Sequence, residues 1–343
     1  MTHVVKTLDE ATRPRWEAYV AAHPDATFFH RSGWQRVIER SFGQDTHYLY
    51  VERDGAMTGV LPLAFYRSRL FGSALIANGC CMGGAPIASD EASHAALDAA
   101  AAALMDRLGA DYLEYRRPVR RHAEWTAKDG LYATFERPIA ADEEANLKQI
   151  PRKQRAVVRK ALDAGLSDAA DHGIERFYPL YAESVRNLGT PVFAKTYFRT
   201  LLDVFGEDCG ILTVSHGGRP VSSVLSFTFR DRIMPYYVGA SREARTLGST
   251  DYLYWRLMRR AVQSGCSVFD FGRSKVDTGP YHFKKNWGFT PEPVVHEYRT
   301  RNGAPAPEIN PLNPKYRLFI ALWKRLPLPL ANLIGPQIVR NIG

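Results

Sequence analysis

The chain has 343 residues, of which 45% are hydrophobic and 24% are charged, and its formal net charge is +9. This composition excludes a disordered or fibrous protein and supplies enough apolar residues for two cores, since domains usually span about 100–150 residues. The basic balance favours anionic partners such as phosphates, nucleic acid or a membrane surface, although many ordinary enzymes are mildly basic as well.

Cysteine usage and the N-terminus bear on the compartment. Cys80, Cys81, Cys209 and Cys266 form no C-x-x-C pair and no regular spacing. We therefore expect neither a disulfide framework nor a zinc site, and a reducing cytoplasm fits best. The first residues lack the apolar segment of a signal peptide, and no run of about 20 apolar residues occurs. The sequence predicts a cytoplasmic protein with no metal and no tightly bound cofactor.

The first half of the chain alternates helix and strand signals. Apolar residues at helical spacing predict helices, and two β-rich runs around an Asp-Gly turn predict a hairpin. The segment 70–90 is rich in Gly, Cys and small residues, which indicates irregular, buried backbone. The predicted elements are helices at 13–22, 33–41 and 91–108 and strands at 47–53, 57–66, 111–116 and 131–139.

The second half repeats this element order, which predicts two copies of one unit. Strands that alternate with helices predict an α/β layered fold. The stretch 301–314, rich in Pro and Asn, predicts a linker or a strapped tail. The predicted elements of this half are helices at 151–164, 176–188, 196–205 and 250–264 and strands at 210–216, 220–230, 232–239 and 266–271.

A glycine turn precedes the predicted helix at 250–264. Arg245, Gly248 and Thr250 partly match the R-x-x-G-x-G/A loop of GNAT acyltransferases. Backbone N–H groups at such a helix start are unpaired and can hold a phosphate or pyrophosphate. These three residues are therefore candidates for binding a donor phosphate. The alternative is an ordinary glycine turn before a capped helix.

The predicted strand at 266–271 carries one acid, Asp270, near its end. A buried carboxylate must be paired, hydrogen-bonded or protonated, and a carboxylate with a raised pKa suits a general base for an amine. The alternative is a structural aspartate that holds the next loop.

The segment 279–289 is the densest cluster of polar and aromatic side chains. Lysines beside aromatic residues suit an anionic ligand or the polarisation of a reacting carbonyl. The candidates in this segment are Tyr281, Lys284, Lys285 and Trp287.

The order of strand, glycine turn, helix, D-F-G strand and G-x-Y-x-F-K-x-x-W-G-F resembles the C-terminal half of the FemAB family. These are tandem GNAT-like transferases that use aminoacyl-tRNA to extend peptidoglycan peptides. The resemblance spans about residues 25–300. It implies two GNAT-like α/β domains with mixed sheets flanked by helices. The chain looks still closer to the FemAB-like branch that is associated with exosortase and exopolysaccharide gene clusters.

The resemblance also implies roles for particular residues. Lys284 follows the phenylalanine of the family signature and takes the catalytic role, in which it would stabilise the developing oxyanion. Asp270 is the acid of the D-F-G strand. Apart from the resemblance, the mechanism that we expect makes Tyr281 and Tyr237 candidate donors to the leaving group. The long charged hairpin that some members use to contact tRNA is absent from this sequence.

A basic stripe marks the predicted helix at 151–164. Arg152, Arg155 and Arg159 lie at i, i+3 and i+7, and no acid occurs from 151 to 162. Such a stripe suits a phosphate-rich substrate, and the alternative is a solvated face. The full predicted set for substrate binding is Arg152, Arg155, Arg159, Tyr237, Lys285 and Trp287.

The tail combines basic and apolar residues, and no acid occurs from 309 to 343. Basic residues among Trp and Leu favour an interfacial segment on the inner membrane, and the alternative is a tail that packs over the protein.

The sequence thus predicts domains at 1–145 and 146–300, followed by a basic amphipathic tail at 301–343. We expect an acyl or aminoacyl transferase that forms an amide on an amine acceptor in cell-envelope or exopolysaccharide precursor metabolism. The donor is acyl-CoA or aminoacyl-tRNA, which makes tRNA a candidate partner. The acceptor is a small-molecule or lipid-linked anionic precursor. The alternatives are a tRNA-dependent peptidoglycan bridge transferase and a non-catalytic module that binds a glycan precursor.

Overall fold

The structure, a computed structural model, describes residues 3–68, 72–306 and 314–340. The chain divides into two compact units. Unit 1 comprises Met1–Leu131, Pro293–Ile309 and Ile338–Gly343, and unit 2 comprises Tyr132–Glu292 and Asn310–Gln337. In the described ranges, no helix is long and apolar enough to cross a membrane.

The helices and strands alternate along most of the chain. In chain order they are β1 (Val4–Thr7), α1 (Arg13–Ala22), α2 (Gly33–Phe42), β2 (Asp45–Arg53), β3 (Ala56–Ser68), β4 (Gly72–Ala77), β5 (Ile87–Ala88), α3 (Glu91–Leu108), β6 (Tyr112–Arg117), β7 (Thr126–Thr134), β8 (Glu136–Pro138), α4 (Glu143–Gln149), α5 (Arg152–Leu162), β9 (Leu166–Asp171), α6 (Phe177–Leu188), α7 (Lys195–Phe205), β10 (Cys209–His216), β11 (Arg219–Phe229), β12 (Arg232–Ala240), α8 (Ala244–Leu247), α9 (Ser249–Gln263), β13 (Val268–Asp270), β14 (Ser274–Lys275), α10 (Gly279–Asn286), β15 (Glu292–Thr300), α11 (Pro314–Trp323) and α12 (Leu328–Val339).

Unit 1 is built on a mixed sheet with the strand order β1-β2-β3-β4-β6-β15-β7, and β5 pairs with β3. Strands β4 and β6 run parallel, with Leu75 opposite Leu113, whereas β3–β4 and β6–β15 are antiparallel. Helix α3 shares a core cluster with the sheet and buries residues at helical spacing, including Leu97, Ala101 and Leu104.

Unit 2 contains a second mixed sheet with the order β8-β13-β12-β11-β10-β9. Strands β12 and β13 are parallel, but they pair only at Arg232–Val268 and Ile233–Phe269. Beyond that point β12 continues beside β11 as far as Ala240. A bulge at Tyr236 shifts the register of β12 against β11 between Leu225 and Ser226. The two parallel strands therefore part after two residue pairs, and the chain after β13 lies at this opening.

The two units share one element order: two helices, a hairpin, a third strand, a helix and a strand parallel to the third. Unit 1 runs α1, α2, β2, β3, β4, α3 and β6, and unit 2 runs α6, α7, β10, β11, β12, α9 and β13. The predicted repetition and the α/β class with mixed sheets flanked by helices are confirmed.

Several details differ from the expectation. The compact units divide at 131/132 rather than at the predicted 145/146, and 293–309 belongs to unit 1 because β15 pairs with β6. Residues 72–77 form strand β4 and not irregular backbone. The segment 279–286, which carries Lys284, is helix α10. Half of the predicted linker at 301–314, residues 307–313, lies outside the described residues, and two helices follow.

Candidate functional site

Lys284 is a buried lysine on α10. Its side chain is 8% exposed. The ammonium Nζ donates to the carbonyl oxygens of Gly272 at 2.9 Å and Arg273 at 3.2 Å. It also lies 5.3 Å from the centre of the Phe135 ring. Burial lowers the pKa of Lys284 to about 7, and the negative charge of Asp270 opposes this shift.

Asp270 is the last residue of β13 and is also 8% exposed. Its Oδ1 accepts the backbone N–H of Gly272 at 2.7 Å. Burial raises the pKa of Asp270 to about 6, while the hydrogen bond from Gly272 and the charge of Lys284 limit the rise. A raised pKa is the property that a general base for an amine requires, and this role of Asp270 stays a prediction.

Lys284 and Asp270 both bind the short loop at Gly272 and Arg273, directly after β13. Gly272 has a φ of 65°, a left-handed conformation that glycine adopts without strain. An ammonium has three N–H donors, and the loop carbonyls take two of them. Lys284 therefore retains one donor for a further oxygen, at the point where β12 and β13 part.

Tyr281 and Lys285 lie together on α10. The Tyr281 ring packs edge-on against Phe135 with centroids 5.3 Å apart. The Nζ of Lys285 lies 5.6 Å from the centre of the Tyr281 ring. Tyr281 is partly exposed and Lys285 is exposed, so both can meet a ligand.

Trp287, which was expected to bind substrate, is fully buried in the core of unit 2. Its Nε1 donates to Oδ1 of Asp251 at 2.9 Å, and Gln154 donates to the same oxygen. Burial raises the pKa of Asp251. In this position Trp287 packs and holds Asp251 and does not reach solvent. Sequence reasoning missed Asp251, although an acid three residues after a glycine turn is a visible signal.

Comparison with known proteins adds a domain match and a fold. Residues 147–285 match the acetyltransferase (GNAT) domain family. Every candidate residue except Trp287 lies inside this segment. A search among curated proteins gave no match.

Three solved structures are similar over most of the chain. FemX is 17% identical and matches 84% of this chain and 96% of its own, with a TM-score of 0.68. A tandem GNAT protein from the clavulanic acid biosynthesis pathway is 14% identical, with coverages of 89% and 100% and a TM-score of 0.58. The C-terminal domain of a putative lysylphosphatidylglycerol synthetase from Agrobacterium fabrum is 12% identical, with coverages of 85% and 92% and a TM-score of 0.58. At these identities the likeness shows the fold, which is the predicted tandem GNAT-like fold.

The predicted phosphate loop of the GNAT domain lies against helix α5. Arg245 is exposed on the single turn α8, and Thr250 is partly exposed. Gly248 has a φ of 65°, and a Cβ at this position would lie 3.1 Å from the Ala161 Cβ on α5. The carboxylate of Asp251 also occupies the first turn of α9. Close packing against α5 is therefore one reason for a glycine at position 248. Phosphate binding by this loop stays a prediction.

The basic stripe on α5 is divided in the structure. Arg155 donates to the carbonyl oxygens of Lys148 and Ile150 and so satisfies the end of α4. Arg152 and Arg159 are exposed. Two of the three predicted arginines therefore present their charge to solvent, while the third has a structural partner.

Tyr237 lies on β12 beside the bulge and belongs to an aromatic cluster. Its hydroxyl is 2.8 Å from the Tyr197 hydroxyl on α7. Burial raises the pKa of Tyr237 well above its usual value, so the phenol stays protonated. The rings of Tyr181, Phe193 and Phe198 pack against it. Sequence reasoning missed Phe193 and Tyr197, although 193–198 reads F-A-K-T-Y-F.

Proposed function

We propose that the protein is an acyltransferase that joins an acyl or aminoacyl group to an amine acceptor and forms an amide. One observation carries the proposal: Lys284 and Asp270 are both buried, both have a pKa moved towards neutrality, and both bind the loop after β13. Titratable groups with such shifts concentrate at functional sites. The pair also lies within the segment that matches the GNAT domain.

Asp270 is suited to take a proton from the acceptor. With a pKa of about 6, its carboxylate is ionised at neutral pH and remains basic enough to accept a proton. As the amine nitrogen attacks the acyl carbonyl, the new C–N bond leaves a positive nitrogen that must lose a proton. Transfer of this proton to Asp270 allows the tetrahedral intermediate to collapse to the amide and release the donor's leaving group.

Lys284 is suited to stabilise the oxyanion of the same intermediate. The loop carbonyls accept two of its three N–H groups, so the third can donate to the oxyanion. Burial of Lys284 strengthens any hydrogen bond to a developing negative charge. The loop carbonyls of Gly272 and Arg273 fix the ammonium before the reaction, which is the preorganisation that such a donor requires.

The acceptor that we propose is an anionic precursor of the cell envelope or of an exopolysaccharide, small or lipid-linked. Support comes from the net charge of +9, from the exposed Arg152 and Arg159, and from the fold shared with FemX and with a putative lysylphosphatidylglycerol synthetase. The signature residues Gly279, Phe283 and Lys284 support a place among FemAB-like proteins, in the branch associated with exosortase and exopolysaccharide genes. The donor is acyl-CoA, on the match to the GNAT domain, or aminoacyl-tRNA, on the FemAB-like signature.

A transfer assay tests the proposal. The protein is incubated with labelled acetyl-CoA, a long-chain acyl-CoA or charged tRNA, each with amine-bearing envelope precursors, and amide products are measured. Lys284→Met should lower the rate about 10²–10³-fold, the usual effect of removing one oxyanion donor. Lys128→Met is the matched control, because Lys128 also lies over an aromatic ring, Tyr298 at 5.7 Å, but in unit 1. Its rate should stay at the wild-type value.

Two results would overturn the proposal. Equal rates for wild type and Lys284→Met would place the chemistry elsewhere. Tight binding of an envelope precursor, without transfer from any donor, would make the protein a binding module.

A further inference from the structure

The two tail helices each have two apolar faces. One face of α11 and α12 packs on the protein, where Trp323 and Ala331 are buried. Gly335 lies so close to the loop between α6 and α7 that a Cβ there would be 2.8 Å from the Val192 nitrogen. Arg186 on α6 donates to the carbonyl oxygens of Lys324 and Leu326. The tail is therefore fixed to unit 2 by its inner face.

The outer face of the same helices is apolar and bare. More than half of the large apolar side chains that are exposed in the described residues lie here, and Leu333 is 73% exposed. They recur at helical spacing on one side of each helix. We call this surface the tail face; its residues are Leu318, Phe319 and Leu322 on α11 and Leu330, Leu333 and Ile334 on α12.

The charges that the tail itself carries have one sign. Lys324 and Arg325 are exposed in the turn between α11 and α12, and Arg340 is exposed just beyond α12. No Asp or Glu occurs from 309 to 343. Short amphipathic helices with an apolar face and flanking basic residues lie in the plane of an anionic membrane, with the apolar face in the acyl boundary.

We propose that the tail face docks the protein on an anionic lipid surface. A second copy of the chain is a poorer occupant, because its tail carries only basic charges and offers no acid to pair with Lys324 and Arg325. Lipid headgroups supply the opposite charge, and the acyl layer covers the leucines.

The docked tail also bears on the candidate site. Val192, which contacts Gly335, is followed by Phe193, and the Phe193 ring packs against Tyr237 at 5.8 Å. Docking would therefore hold the aromatic cluster around Tyr237 close to the lipid surface. If the acceptor is lipid-linked, a point that rests on the proposed function, this is the side from which it would enter unit 2.

Vesicle sedimentation of the full chain tests the docking directly and needs no activity. Wild-type protein should pellet with phosphatidylglycerol-rich vesicles and much less with phosphatidylcholine vesicles, and added salt should release it. The double variant Leu322→Glu/Leu333→Glu should bind at least about tenfold more weakly, because two charges replace two exposed leucines that docking would bury in the lipid. The double variant Lys324→Glu/Arg325→Glu should lose the preference for anionic lipid.

The control is Val4→Glu/Val119→Glu, which places the same two charges on exposed apolar positions outside the tail. It should pellet like wild type, and thermal unfolding should show all variants folded. Equal pelleting of the Leu322/Leu333 variant and wild type would overturn the proposal. A second result would also overturn it: a wild-type dimer in analytical ultracentrifugation that does not bind vesicles and that dissociates in the Leu322→Glu/Leu333→Glu variant. The tail face would then contact a second copy of the chain.

Discussion

Glu114 in unit 1 and Asp270 in unit 2 lie on corresponding strands of the two copies of the fold, β6 and β13. Each acid lies on the strand that runs parallel to its neighbour, one residue after a paired hydrophobic residue, Leu113 or Phe269. Both side chains are buried. Their surroundings nevertheless move their pKa values in opposite directions, so the shared fold does not decide what the acid does.

The negative charge of Glu114 is balanced by hydrogen-bonded basic neighbours. Its Oε1 accepts Nε of Arg116 at 2.8 Å and contacts Nδ1 of His296 at 2.9 Å. Burial alone would raise the pKa of Glu114, but the charges of Arg116 and His296 lower it to about 2. In unit 1 a chain segment also covers the end of β6. Gly84 forms an isolated β-bridge with Arg116, and the Arg116 guanidinium donates to the Cys81 carbonyl.

Two residues after the acid, unit 1 has Arg116 where unit 2 has Gly272. The arginine pairs with its acid and fixes a loop across the opening. The glycine donates only a backbone N–H, and Lys284 approaches with a lowered pKa. Unit 1 thus holds its acid in an ion pair, whereas unit 2 holds an acid with a raised pKa, to which we assign proton transfer in our proposal.

The largest expected effect is on the transfer rate. Asp270→Asn removes the proposed base and should lower the rate by about 10²–10⁴-fold. Glu114→Gln should leave the rate per folded molecule close to wild type. Glu114 forms an ion pair with Arg116 in unit 1, whereas the proposed reaction uses residues of unit 2. Initial rates are compared after the folded fraction has been measured by circular dichroism. A similar loss in both variants would break the comparison and assign both acids to one function.

The next effect is on stability, with opposite signs in the two units. Glu114→Gln removes one partner of a buried ion pair and should cost about 3–5 kcal/mol of unfolding free energy at neutral pH. Asp270→Asn should be at least as stable as wild type, because the ionised carboxylate is costly to bury and Asn can still accept the Gly272 N–H. Urea unfolding at neutral pH measures both.

The pH dependence sharpens the same test. The pKa of Asp270 is raised from 3.8 to about 6, so the folded state holds the proton longer and wild-type stability falls as pH rises through this window. The advantage of Asp270→Asn should grow over that range. The pKa of Glu114 is lowered from 4.5 to about 2, so its contribution is full above 4.5 and is lost as pH falls towards 2. The deficit of Glu114→Gln should shrink there, and parallel curves for both variants would contradict the contrast.

The sequence predicted the repeated α/β units because hydrophobic periodicity and turn residues are local signals. It also singled out Lys284, which lies in a dense polar segment, and Asp270, which is the one acid of a predicted strand. It could not divide the chain at 131/132, because the pairing of β15 with β6 joins residues far apart in sequence. Burial of Trp287 and the capping role of Arg155 depend on contacts made by other helices. The lowered pKa of Glu114 depends in part on His296, and no local pattern links two residues so far apart in sequence.

The smallest effect concerns the helices that follow the third strand of each unit. The N-cap residue of helix α3 is Asp90, whose carboxylate accepts the N–H of Ser93, whereas the N-cap residue of α9 is Gly248, which provides no side-chain cap. If Gly248 serves packing against α5, Gly248→Ala should destabilise through both its φ of 65° and the contact with Ala161. Gly165→Ala is the control, because Gly165 has a φ of 67° but nothing within 4 Å of a Cβ.

The control should lose about 1 kcal/mol from backbone strain alone, and Gly248→Ala about 1 kcal/mol more from crowding. Urea unfolding gives both values, and the donor KM of each variant gives the second reading. A packing role leaves the donor KM unchanged, since the start of α9 is already occupied by Asp251 and covered by α5. A tenfold rise in donor KM for Gly248→Ala alone would instead make this turn the donor phosphate loop, and unit 2 would then differ from unit 1 at its helix start as well as at its acid.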